Sequence, residues 1–137
     1  MYSERSMMKR LLIDNCLSIA FQILPEIVRE KNHFTFIIDK NRILSIGVNS
    51  SKTHTEAVRL GYRFPSIHSE LAALLKLPYG TDTHKCNLVN IRLSRASIKH
   101  NRPILRMSKP CQYCEKWIKQ MAFRSVVYSN DEGFHKL

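Results

Sequence analysis

From about Ser6 to Leu24 the apolar residues Met8, Leu11, Leu12, Cys16, Ile19, Ala20, Ile23 and Leu24 recur at helical spacing. Lys9, Arg10, Asp14, Ser18 and Gln22 fall on the other side, so the pattern predicts an amphipathic helix laid on a core. Pro25 lacks the N–H that the helix ladder needs, which predicts a kink or a new turn there. Two short apolar segments follow, Phe34 to Ile38 and Ile43 to Val48. Between them Asp39-Lys40-Asn41-Arg42 has the character of a tight β-hairpin turn. Residues 50 to 66 are polar and aromatic without a period, which predicts a long loop. Ser66 stands where an N-cap belongs, before a helix through Leu71, Ala72, Leu74 and Leu75 that stops at Pro78 and Gly80. Leu88 to Leu93 alternates, with Val89, Ile91 and Leu93 on one side and Asn90 and Arg92 on the other, which predicts a strand. After an irregular stretch, 95 to 109, Pro110 suits the first turn of a helix whose inner side carries Cys114, Trp117, Ile118 and Met121. Val126, Val127 and Tyr128 predict a last short strand. The order is α-β-β-α-β-α-β, an α/β fold with a sheet covered by helices and crossover connections after the hairpin.

The 137 residues suffice for one core and not for two, so residues 1–137 are expected to form a single domain. Hydrophobic residues make up 44% of the chain and charged residues 24%, which argues against disorder. No apolar run approaches the roughly 20 residues of a membrane span, and no membrane partner is expected. Asp14 and Asn15 interrupt the first apolar run, against a secretory signal. A reducing, cytoplasmic location is therefore expected for the four cysteines, without a disulfide scaffold. The net charge of +11 is the outlier. It favours polyanions, phosphorylated small molecules or acidic partners and does not bear on the fold. The charge is concentrated between Thr83 and Cys114, where Lys85, Arg92, Arg95, Lys99, Arg102, Arg106 and Lys109 meet no acidic residue.

Two short motifs carry chemistry: His68-Ser69-Glu70 and Pro110-Cys111-Gln112-Tyr113-Cys114, each opening a predicted helix. One imidazole and two thiolates suit Zn2+, and three protein ligands leave the fourth tetrahedral position open, as in a catalytic site. Helix N-termini at the ligands lower thiolate pKa values and favour an anionic nucleophile. A carboxylate at Glu70, beside that position, can take a proton from water and pass it on. Hydrolytic deamination of a nucleobase needs both services, an attacking hydroxide and protonation of the leaving ammonia.

H-x-E followed by P-C-x-x-C resembles the signature of the zinc-dependent cytidine and deoxycytidylate deaminase superfamily. The element order is similar to the same fold, a three-layer α/β/α sandwich around a mixed sheet. Lys52-Thr53-His54 and Val127-Tyr128-Ser129 look like those of its short, often virus-encoded members. The resemblance implies His68, Cys111 and Cys114 as zinc ligands and Glu70 as the proton shuttle. It implies that Asn49, from a Gly47-Val48-Asn49 like the family's G-x-N, binds the substrate sugar. His54 is a further candidate for substrate contact, and the backbone N–H of Cys111 for oxyanion support. Two features depart from the family. Ser69 stands where alanine is usual, and the chain ends soon after Tyr128.

The expected activity is deamination of cytosine in a cytidine or deoxycytidine nucleotide. The alternatives are a nucleic-acid editing deaminase, acting on cytosine or adenine in a single strand, and a catalytically silent zinc-stabilised binding module. Plainer roles exist for several residues. Cys111 and Cys114 could belong to a closed structural site with His54, His84 or Cys86, or form a redox pair. Asn49 could be a turn residue, His54 simply exposed, Trp117 core, and the basic run a solvated face. A homo-oligomer is compatible with the sequence.

Overall fold

A computed structural model describes residues 4–27, 32–49 and 68–137. Among these, helix α1 spans Glu4–Ile27, strands β1 and β2 span Asn32–Asp39 and Arg42–Val48, and helix α2 spans Ser69–Leu75. A 3-10 turn at Thr83–Lys85 leads into β3, Cys86–Leu93. Short helix α3 (Ala96–Lys99) and strand β4 (Leu105–Arg106) come next. Helix α4 (Gln112–Met121) and strands β5 (Ser125–Asn130) and β6 (Gly133–Lys136) complete the order. The result is a mixed α/β fold with one six-stranded sheet and four helices in the described residues.

The sheet runs β2-β1-β3-β5-β6, with β4 pairing the end of β3. Strand β1 lies antiparallel to both β2 and β3, while β3 and β5 are parallel. The hairpin turn falls where the sequence puts it, with Lys40 at φ 55. All seven predicted elements form. Helix α3, β4 and β6 are additions, the first two inside the stretch read as irregular. Each has four residues or fewer, too few for a period to register.

Side chains of β1 and β3 alternate between two clusters. Phe34, Phe36, Ile38, Val89, Ile91 and Leu93 pack with Cys16, Ala20 and Leu24 of α1. Those three helix residues recur at i, i+4 and i+8, the buried stripe that a helix lays on a sheet. Ile37, Cys86 and Leu88 instead join Ala73 of α2 and Ile118 of α4. The helix includes Pro25 and is described through Ile27, so the proline does not stop it. Asn90 and Arg92 therefore do not mark a solvent face. Asn90 is buried on the same side as Leu88, and only Arg92 keeps partial exposure.

Helix α2 begins at Ser69 with His68 as its N-cap, not at Ser66. Ser66, His54 and the rest of the predicted loop lie outside the described residues. His68 is extended, at φ −78 and ψ 155, and its carbonyl accepts from the Ala72 N–H at 3.0 Å. Pro110 precedes the N-cap Cys111 rather than entering the first turn of α4. No helix in the described residues is long and apolar enough to cross a membrane.

Candidate metal centre

Both motif residues sit at helix starts, as their spacing predicts. Cys111 is the N-cap of α4, and its sulfur accepts from the Cys114 N–H at 3.4 Å. Three residues along a helix is nearly one turn, so Cys111 and Cys114 present their sulfurs on one side of the helix start. His68, the N-cap of α2, meets them there. Its Nδ1 lies 3.5 Å from the sulfur of Cys111 and 3.5 Å from that of Cys114. All three ligand atoms fall within 4.8 Å of one another.

These separations test the fit to a metal. Zinc bonds of about 2.3 Å to sulfur and 2.0–2.1 Å to nitrogen, at the tetrahedral angle, put S and N about 3.5 Å apart. The two S···N distances match that edge. The electrostatics agree, because burial pushes the Cys114 thiol well up, with the Glu70 carboxylate and the Cys111 sulfur adding to the rise. Zinc ligation needs the thiolate, and a divalent ion beside these groups would offset that rise. The donor set could therefore hold a metal ion and is consistent with zinc.

Glu70 joins the cluster in the first turn of α2, and it is buried. Its Oε1 accepts from Asn90 Nδ2 at 2.6 Å. A narrow crevice beside it is lined by Glu70, Leu71, Leu74, Tyr113, Cys114 and Trp117. Trp117 is half-buried and packs against Tyr113 with ring centroids 6.4 Å apart, so it borders the site rather than the deep core.

The other candidates separate. Asn49 clamps the open end of the hairpin: its Oδ1 accepts from the His33 N–H at 3.1 Å, and its own N–H donates to the His33 carbonyl at 3.3 Å. Among the described residues the cluster consists of His68, Cys111 and Cys114. Cys86 is buried with its sulfur 3.5 Å from the Asp82 carbonyl, and His84 is exposed. Neither completes a closed four-ligand site.

Three residues near the site escaped sequence reasoning. Thr35 on β1 and Asn90 on β3 are cross-strand partners, and both are buried on the face that meets α2. Ser108 ties the approach to Cys111 into the sheet. Its hydroxyl donates to the Asn90 carbonyl at 2.9 Å and accepts from the Ser129 N–H at 2.7 Å. The only sequence signal was a polar residue inside an apolar strand, as in Phe34-Thr35-Phe36.

No protein-family model matches this chain, and no curated protein matches it significantly. The fold and the donor set define a mixed α/β protein with a candidate His-Cys-Cys metal centre.

Proposed function

We propose that the chain is a zinc-dependent deaminase that converts the C4 amino group of a cytosine base to a carbonyl and releases ammonia. The supporting observation is a donor set whose two S···N separations match a tetrahedral zinc edge, with a buried glutamate beside it. His68, Cys111 and Cys114 would hold the ion, which when bound supplies an activated water. Glu70 takes one proton from the attacking water and delivers it to the ring nitrogen N3. It then takes the second from the C4 hydroxyl and delivers it to the amino group, which leaves as ammonia as C4=O forms. The Cys111 backbone N–H supports the charge that develops on oxygen. Contact of Asn49 with the sugar and of His54 with the substrate, a three-layer α/β/α sandwich and a reducing cytoplasmic setting belong to the same proposal.

The substrate proposed is a cytidine or deoxycytidine nucleotide. An open groove of about 600 Å³ lies along α4 and β5, lined by Lys109, Lys119, Arg124 and Lys136 with Glu115 as the acidic side chain. Lys109 stands two residues before Cys111 in the chain, while the cluster residues themselves do not line the groove. The basic lining favours a phosphorylated substrate over a neutral nucleoside, and it also suits the rival reading, a single-stranded nucleic acid.

The test is ammonia release by the zinc-loaded protein from cytidine, its phosphates, adenosine and single-stranded oligonucleotides. Turnover of a cytosine nucleotide is expected. Glu70→Gln should keep zinc and fold while losing at least roughly the 10²–10⁴-fold typical of a positioned acid–base group. Bound zinc without turnover of any base would leave the silent binding module as the correct reading. Wild-type rates in Glu70→Gln would remove Glu70 from the chemistry.

A further inference from the structure

We propose that Asn90, itself oriented by Thr35, is a positioning residue that holds the Glu70 carboxylate against the His68–Cys111–Cys114 cluster; the assignment rests on the deaminase reading above. The side-chain amide of Asn90 is fully engaged. Nδ2 donates to Glu70 Oε1 at 2.6 Å and to the Ser108 carbonyl at 3.2 Å. Oδ1 lies 2.6 Å from the Thr35 hydroxyl, which lies 2.8 Å from the Ser69 hydroxyl.

The protons can be placed by elimination. An amide oxygen cannot donate, so the single Thr35 hydroxyl hydrogen goes to Asn90. Thr35 must then accept from Ser69. The chain therefore reads Ser69 to Thr35 to Asn90 to Glu70, each group donating to the next. A flipped Asn90 amide would set its oxygen against the Glu70 carboxylate and the Ser108 carbonyl. It would also face the Thr35 hydroxyl with N–H groups instead of an acceptor.

Solvent does not interrupt the chain. Thr35 is 0% exposed, Ser69 and Asn90 1%, and Glu70 5%. Buried hydrogen bonds of this kind are strong and poorly replaced once broken. The amide also links the two halves of the centre. Glu70 belongs to the helix that His68 opens, and Ser108 stands three residues before Cys111. The serine at position 69 thus acts away from the metal, as the outermost donor.

A merely structural Asn90 would make variants follow packing and stability. A positioning role makes them follow the Thr35 hydroxyl. Thr35→Val keeps the shape and removes that hydroxyl, while Thr35→Ser keeps the hydroxyl and loses a methyl. The experiment measures kcat and KM on a cytosine nucleotide for zinc-loaded wild type and both variants, normalised to zinc content. Side-chain amide exchange of Asn90 is followed by NMR in the same samples and in Glu70→Ala.

Thr35→Val should lose at least about tenfold in kcat, within the roughly 100-fold that a misplacement of about 1 Å can cost. KM and zinc content should stay near wild type, and Thr35→Ser should restore most of kcat. The Asn90 amide protons should exchange slowly in wild type and Thr35→Ser, and faster in Thr35→Val and Glu70→Ala. Wild-type kcat in Thr35→Val, or slow exchange unaltered by Glu70→Ala, overturns the assignment. Slow, Glu70-dependent exchange in a protein that deaminates no base would keep the hydrogen-bond chain and sink the deaminase reading instead, and with it Asn90's catalytic purpose.

Discussion

Cys16, Cys86 and Cys114 are equally hidden, at 1%, 1% and 2% exposure, yet their surroundings differ. Burial pushes the Cys16 thiol up to about 12, and Cys86 is raised by burial and then by the Asp39 and Asp82 carboxylates. Both stay protonated near neutral pH and act as small apolar core groups. Among the described residues, Cys114 alone of the three has a second sulfur and an imidazole within reach. Metal analysis of the purified protein should give about one zinc per chain. His68→Ala, Cys111→Ala and Cys114→Ala should each lose most of it. Cys86→Ala should keep the metal and lose only stability, so equal metal loss there would refute the ligand assignment. The convergence of His68, Cys111 and Cys114, with Glu70 beside them, was legible in the sequence because helical geometry converts fixed spacing into a shared direction. Thr35 and Asn90 were not. An asparagine opposite Val89 and Ile91 reads as the wet side of a strand, and its partners Thr35 and Glu70 are 55 and 20 positions away.

Helix α2, capped by His68 and carrying Glu70 in its first turn, has only seven positions, well below the roughly 12–15 at which an isolated helix becomes marginally stable. Its place is set by β2. Ser45 donates to the Ala73 carbonyl at 2.6 Å, and Gly47 lets the helix backbone lie directly on the strand. A methyl group at Gly47 would overlap the Ser69 carbonyl and the Ala73 amide. The sequence motif drew attention to Asn49 for the sugar, whereas the glycine beside it sets the distance between helix and strand. Gly47→Ala should therefore cost on the order of 1–3 kcal/mol, as overpacking does, and toward the upper end because backbone cannot swing aside. It should also weaken zinc retention by shifting His68. Thermal melts and zinc titration of the variant check both effects, and an unchanged melt with full zinc would show that α2 is free to move. The major elements were readable from periodicity because each spans several repeats of its pattern. The start of α2 was misplaced because Ser66 is the better capping residue on propensity, whereas His68 is the residue that takes the N-cap position.

Over the whole molecule, the basic stretch before Cys111 divides between two surfaces. Arg102 and Arg106 line a groove shared with Asp131 and Glu132, so carboxylates stand close to part of their charge. Lys109 lies instead in the groove with Lys119, Arg124 and Lys136. Lys119 is 72% exposed and lies 3.6 Å from Glu115, a pairing of little energetic weight in water. Charge reversal at Arg124 and Lys136 should raise KM for a nucleotide more than reversal at Arg102 and Arg106, with kcat little changed in either case. Salt screens the same attraction, and its dependence reports how many phosphates are engaged. A nucleotide has one phosphate group to place, so log(kcat/KM) should fall gently with log[salt]. A single strand that neutralised all four cations of the groove would show a slope of about −3, from roughly 0.7 per neutralised phosphate. Both slopes should flatten in the Arg124→Glu, Lys136→Glu double variant, because fewer phosphates are then neutralised and fewer of their counterions released. If neither salt nor the reversals changed kcat/KM, the groove would be a solvated basic face, and substrate selection would have to reside at the metal cluster itself.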